Sequence, residues 1–167
     1  MQVIIWLSFI VSFSFLIVYL ISGVIGANFY PTNKKIIRSA LKMADIRPQD
    51  SIIDLGCGDG RFLFEASKYS KHTVGYEINP FLVLFVKLKA FLIQNRRIHV
   101  LLKNFWKVNL STADTIYIFQ RKGKMKALEQ KILHELKPNA KVIVYSFAFP
   151  NLKPTRKIQN SLYLYIL

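Results

Sequence analysis

The heptapeptide DLGCGDG, Asp54 to Gly60, follows directly on the apolar run SII and leads directly into the helix-like RFLFEAS. Glycines at positions 56, 58 and 60 let the backbone turn through angles that a residue with a Cβ avoids. A short apolar strand ending in such a turn and continuing as a helix is the opening of a βαβ unit. A ligand reaching the turn meets backbone rather than side chains.

The remainder of the chain repeats the alternation. Strands are expected over residues 51–56, 72–78, 97–103, 113–120 and 140–147, and helices over 60–70, 80–95 and 122–136, with Pro80 in a first helical turn. A further helix over 32–46 precedes the first strand, and residues 153–167 read as two strands joined near Gln159 and Asn160. The expected fold is therefore α/β: a Rossmann-like, seven-stranded sheet, parallel except for an antiparallel C-terminal hairpin on one edge.

Residues 1–33 contain no Asp, Glu, Lys or Arg, and Val3 to Ala27 is rich in Ile, Val, Leu and Phe. As a helix this run would span roughly 37 Å, against a hydrocarbon core of ~30 Å. No basic residue precedes it, and it exceeds the roughly 7–15 residues of a signal-peptide core, so it reads as an uncleaved anchor. The expected organisation is a transmembrane helix over 1–28 and a single domain over 29–167. Lys34, Lys35, Arg38 and Lys42 follow the run closely, which would place the domain on the cytoplasmic side of a single-pass membrane protein.

All 24 Lys and Arg and all 9 Asp and Glu fall after residue 33, giving a net charge of +15. Such a charge suits anionic lipid headgroups, a nucleic acid, or simply a solvated surface. One cysteine excludes an intramolecular disulfide, and His72, His99 and His134 show no ligand spacing with it, so no metal site is expected.

The loop pattern is G-x-G-x-G rather than the dinucleotide pattern G-x-G-x-x-G, and Asp54 and Asp59 flank it. Two carboxylates would repel a pyrophosphate and favour a ligand carrying a sulfonium and an α-ammonium group, which is S-adenosylmethionine. Glu77 ends the second strand, 17 positions after Gly60, where a carboxylate can accept hydrogen bonds from both ribose hydroxyls. A solvated surface charge is the competing reading of that glutamate.

Through DLGCGDG, GYEINP and ADTIYIF the chain resembles the class I S-adenosylmethionine-dependent methyltransferases. Through FYPTNKK, VGYEINPFLV, NFWKVNLSTADTIYIF and ELKPNAKVIVYSFAFPNLKPT it resembles, more narrowly, the lysine methyltransferase family that includes the ATP synthase c-subunit lysine N-methyltransferase. The resemblance runs from Phe29 to the C-terminus, and an N-terminal membrane segment is common in that family. It implies a class I methyltransferase sheet with Asp54, Gly56, Gly58, Asp59 and Gly60 as the cofactor loop and Glu77 on the ribose. Phe29, Tyr30, Pro31 and Thr32 would close over the methionine end. Asn104 stands where the family carries an acidic residue, and could meet an adenine edge without supplying charge.

The implied reaction is in-line displacement of the cofactor's methyl group by the neutral amine of a lysine, on a protein that is itself membrane-associated. Tyr30, Phe119, Phe147 and Phe149 are candidates to line the amine's channel, each equally suited to core packing, and no catalytic residue is assigned. Arg121, Lys122 and Lys124 at the mouth would repel a lysine unless they point elsewhere. Amino-methylation of a nucleic-acid base is disfavoured, because FQRK lacks the Asn/Asp-Pro-Pro-aromatic motif that grips a flipped base. A membrane lipid or quinone methyltransferase and a non-catalytic, cofactor-binding membrane module remain open.

Overall fold

A computed structural model describes the backbone of residues 2–25, 31–159 and 161–167, with side chains for all of these except 15–25. The elements in chain order are α1 (Gln2–Ile25), α2 (Lys34–Met43), β1 (Ser51–Leu55), α3 (Arg61–Ala66), β2 (His72–Glu77) and α4 (Pro80–Leu92). They continue with β3 (Ile98–Leu102), β4 (Thr115–Phe119), α5 (Met125–Glu135), β5 (Lys141–Tyr145), β6 (Arg156–Ile158) and β7 (Leu162–Ile166).

The seven strands form one sheet in the order β3-β2-β1-β4-β5-β7-β6. Strands β1 to β5 pair in parallel, and β7 runs antiparallel to both β5 and β6. The order reverses between β1 and β4, so a crevice opens outside their carboxyl ends, the usual ligand position in open α/β sheets. The expected hairpin is thus present as β6 and β7.

Burial on both faces explains why β1, β4 and β5 read as near-continuous apolar runs. Because strand side chains alternate, Ile53, Ile116, Ile118, Val142 and Val144 meet Leu128 and Ile132 of α5 on one face. Ile52, Tyr117 and Ile143 meet Ile37 and Leu41 of α2 and Phe62 of α3 on the other. A third cluster joins Val83, Val86 and Ala90 of α4 to Ile98 and Val100 of β3. Burying side chains of this size contributes about 1.5–3 kcal/mol each relative to exposure.

Local chemistry sets the helix ends. Asn33 caps α2 by accepting the Lys35 N–H at 2.8 Å, and Asn79 caps α4 by accepting the Phe81 N–H at 3.0 Å, with Pro80 at the first helical position. α4 ends at Leu92, short of the expected Asn95, because Gln94 turns left-handed (φ 53°) and the Asn95 N–H returns to the Ala90 carbonyl at 2.9 Å. The helix expected over 122–136 is divided: residues Lys122–Lys124 form a 3-10 turn around Gly123, and α5 starts at Met125.

The membrane-spanning expectation is corrected. Among the described residues no helix is long and apolar enough to cross a membrane. Residues 1 and 26–28 of the expected span lie outside the described residues. The transmembrane helix over 1–28, the single-pass placement and the cytoplasmic orientation derived from it fall together.

Candidate functional site

The turn after β1 is built so that only glycine suits its ends. Gly56 has φ +91° and receives its backbone direction from an N–H bond to the Tyr76 carbonyl at 2.9 Å. Gly60 has φ +73°, closes the turn by donating to the Cys57 carbonyl at 2.9 Å, and stands as the N-cap of α3. A Cβ at Gly60 would lie 2.8 Å from Val86 Cγ1, so α4 packs directly against the turn.

Glu77 is the clamp of this turn. Its Oε2 accepts the Gly58 N–H at 3.0 Å, while its Oε1 accepts the N–H groups of Ile78 at 2.8 Å and Asn79 at 2.9 Å. A carboxylate offers about four acceptor positions, so these three bonds leave one free on Oε2. The ribose role expected for Glu77 has room for that remaining position, together with a structural role that was not foreseen.

The two loop aspartates occupy different electrostatic surroundings. Asp54 is buried, and burial, followed by the nearby Glu77 and Asp59 carboxylates, raises its pKa well above the ordinary carboxylate value. A cation placed beside it would relieve that penalty. For Asp59, burial alone would raise the pKa, but hydrogen bonds and charge from Arg61 outweigh it and hold the carboxyl below its usual range. Arg61 Nε stands 3.0 Å from Asp59 Oδ1, and Nη2 stands 2.6 Å from Oδ2. Asp59 is therefore committed to Arg61, and Asp54 carries the uncompensated demand for positive charge.

Arg61, which sequence reasoning passed over, reaches further. Its Nη1 donates to the Thr32 carbonyl at 2.9 Å and so fastens the segment before α2 over the turn. Thr32 is itself buried, with its hydroxyl 3.3 Å from the Tyr117 hydroxyl on β4. Tyr30 and Phe29 lie outside the described residues. Pro31 is exposed.

The other expected residues are distributed unevenly. Asn104 follows β3 and accepts the Trp106 N–H at 3.0 Å, a local cap that leaves its amide N–H groups for other partners. Phe119 and Tyr145 end β4 and β5 with ring centroids 4.8 Å apart, beside the crevice. Phe147 is half-exposed, whereas Phe149 is buried in the core, its ring 4.9 Å from Tyr165 and its N–H donating to the Tyr165 hydroxyl at 3.0 Å. Phe119 thus ends β4 and Phe147 is exposed two residues beyond β5, whereas Phe149 packs inside. Lys124 turns its ammonium to within 5.9 Å of the Trp106 ring centroid, while Lys122 is exposed.

Two further groups border the turn. Cys57 is buried, burial pushes its thiol well up, and a Cβ on Gly75 would meet its sulfur at 2.6 Å, so it fills space and is no nucleophile. Gln120, the residue after β4, is buried, and its Nε2 has no hydrogen-bond partner among the described residues and would sit 3.2 Å from a Cβ at Gly56. Its polar character between the aromatic Phe119 and the basic Arg121 was the sequence signal for it.

The chain resembles known proteins in sequence and in fold. A family described as the ANTKMT methyltransferase domain matches residues 54–156. The chain is 35% identical over 130 residues to the human ATP synthase c-subunit lysine N-methyltransferase, covering 75% of this chain and 54% of that protein. It is 30% identical over 151 residues to a protein-lysine N-methyltransferase of Saccharolobus islandicus, covering 83% of this chain and 92% of that one. Against the mouse adenine nucleotide translocase lysine N-methyltransferase the identity is 30%, over 71% of this chain and 52% of the relative. The chain thus spans about half the length of the vertebrate relatives it matches. A solved RNA methyltransferase from Salinibacter ruber, bound to S-adenosyl-L-homocysteine, superposes with TM-score 0.78 at 23% identity, over 82% of this chain and 93% of that one, and shares the fold.

Proposed function

Because the chain belongs to the family of ANTKMT methyltransferase domains, we propose that it transfers a methyl group from S-adenosylmethionine to a lysine side chain of a protein. The observation that carries this reading is the turn after β1, held by Glu77 and backed by the buried Asp54. Two relatives are named for different protein substrates and the third for protein lysine in general, so their common denominator is the lysine itself.

The residues present fit the cofactor. The positive φ of Gly56 and Gly60 keeps Cβ atoms out of the approach, and the buried Asp54 calls for a cation such as the α-ammonium of the methionine end. Glu77 retains an acceptor position for a ribose hydroxyl, and Asn104 retains amide donors for an adenine edge. When bound, S-adenosylmethionine supplies a methyl group activated by its sulfonium.

The chain's own part in the reaction is alignment and drying. Phe119 and Tyr145 form an apolar rim at the carboxyl ends of β4 and β5, which disfavours an ammonium ion and so lowers the pKa of an entering lysine. Holding a neutral amine in line with the methyl group removes orientation entropy, and a displacement that disperses charge asks for little further electrostatic help. Lys124 is drawn towards Trp106, which takes one cation away from the path of the incoming lysine.

The test is incubation of the purified chain with methyl-labelled S-adenosylmethionine and a protein extract, beside a Glu77→Ala control. Label recovered as methyl-lysine after hydrolysis, and absent from the control, supports the proposal. Label recovered only in lipid or RNA would overturn the lysine acceptor.

A further inference from the structure

Helix α4 is apolar on two opposite sides, and only one of them faces the core. At about 100° per residue, Val83, Val86 and Ala90 point inward, while Leu84, Phe85, Leu88, Phe91 and Leu92 fall within an outward arc of about 120°. These five are 64%, 50%, 55%, 78% and 69% exposed, a run of large apolar side chains that a soluble surface does not ordinarily present on one helix. Lys87 borders the arc on one side and Lys89 on the other.

A cationic groove continues this surface. It has a volume of about 680 Å³ and lies beside α3 and the turn after α4, with Lys34, Arg61, Lys68, Lys89, Arg96 and Arg97 in its lining. Among the described residues Glu65 is the one acidic side chain lining it, and Lys68 at 3.0 Å and Arg38 at 3.3 Å already neutralise that carboxylate. Lys89 belongs to both features: it edges the apolar arc, and its ammonium sits 4.3 Å from the Phe64 ring centroid within the groove. Between Glu77 and Asp114 the sequence has no acidic residue and six Lys or Arg.

We propose that the outward face of α4 and the adjoining groove form a docking surface for an anionic phospholipid surface, on which the helix lies in the plane of the headgroups. This goes beyond methyl transfer, and it does not depend on residues 1–28, because the helix rests on the lipid and crosses nothing. The shape selects the occupant. A partner helix seeks an apolar groove, whereas α4 presents a convex ridge, and a ridge buries best in a fluid boundary that closes around it. Lysines on both flanks can lay their methylene stems along the apolar arc and extend their charge to phosphates. The cation-rich groove excludes a zwitterionic or neutral surface as the preferred one, and mutual repulsion of these cations disfavours a second copy of the chain.

The experiment uses the full chain with Leu88→Cys, labelled by an environment-sensitive thiol dye. Cys57, the one native cysteine, is 5% exposed and out of the dye's reach. Thermal unfolding of the labelled chain is compared with that of the native chain, and a second probe at Leu84→Cys stands in if the first is perturbed. A blue shift on phosphatidylglycerol-containing vesicles, reduced by salt and weak on pure phosphatidylcholine, is the expected result. Lys87→Gln with Arg96→Gln should weaken that partition roughly twenty-fivefold, about fivefold per lost cation. No shift while the protein co-floats with the vesicles would overturn the proposal, as would equal shifts on both lipids. A shift that grows with protein concentration in the absence of lipid would assign the face to a second copy instead. A response to an acidic polypeptide but not to vesicles would assign it to a protein partner.

Discussion

The Glu77 carboxylate accepts the Gly58 N–H at 3.0 Å, so the end of β2 and the turn after β1 move as one hydrogen-bonded unit. With the bonds to Ile78 and Asn79, the same side chain also fixes the start of α4. One residue therefore shapes the site and offers it a ligand atom.

That double duty predicts a graded response. Glu77→Gln keeps one acceptor oxygen but turns the other into a donor facing backbone N–H groups, and Glu77→Ala removes both. Calorimetry with S-adenosylhomocysteine should show affinity falling about tenfold to a hundredfold for either variant, since hydrogen bonds to a charged group are worth about 1.5–3 kcal/mol. The melting temperature should fall as well, because the three N–H groups lose their acceptor. Unchanged affinity in Glu77→Ala would remove the ribose role.

Gly60→Ala should cost about 2–4 kcal/mol in urea unfolding, combining a left-handed backbone with a methyl group forced against α4. Gly60 has φ +73°, and its new Cβ would lie 2.8 Å from Val86 Cγ1. Adding Val86→Ala should recover only the steric part of the loss. Full recovery in the double variant would show that the backbone angle carries no strain.

Asp54 makes the ligand-free chain sensitive to pH. Burial, then the Glu77 and Asp59 charges, raise its pKa in the fold, so the folded state holds a proton that the unfolded state has released. Its contribution to stability is fully present below the ordinary carboxylate pKa of about 4 and is lost as pH rises through the folded value. Asp54→Asn should flatten that decline and raise the melting temperature at neutral pH by about 2–4 °C. The same variant should bind S-adenosylhomocysteine at least about tenfold more weakly, for want of a charge to meet the ammonium. Melting curves at several pH values, read beside calorimetry, check both halves.

Arg61→Lys should loosen the site with little loss of fold. The guanidinium reaches Asp59 with two nitrogens and the Thr32 carbonyl with a third, a fork that an ammonium cannot reproduce. The KM for the cofactor should rise about fivefold to twentyfold, with the melting temperature within a few degrees of native. An unchanged KM would mean that the segment before α2 is held without Arg61.

Much of this architecture was legible because the sequence states it locally. DLGCGDG between an apolar strand and a helix fixed the position of the turn, and the apolar runs at 115–119 and 141–145 matched strands buried on both faces. What escaped depends on residues far apart in the chain. Nothing near Arg61 announces that it meets Thr32, and nothing near Gln120 announces that its amide is left alone beside Gly56. Phe149 illustrates an ambiguity left open by the sequence, since an aromatic residue after β5 suits a channel and a core alike until Tyr165 is seen to pack on it. In α4 apolar residues fall on all sides of the helix, and only the exposure of Leu84, Leu88 and Phe91 separates the packed side from the open one. The run over residues 1–28 reads from composition as a membrane span, an inference that the described residues do not support.

A calorimetric titration of the native chain with S-adenosylhomocysteine and, separately, with NAD reads directly which ligand the turn after β1 accepts. A site in which Asp54 awaits a cation and Glu77 clamps the turn predicts one-to-one binding of S-adenosylhomocysteine at about micromolar affinity and no measurable binding of NAD. Binding of NAD without S-adenosylhomocysteine would overturn the cofactor reading, because a pyrophosphate would then occupy the turn beside Asp54.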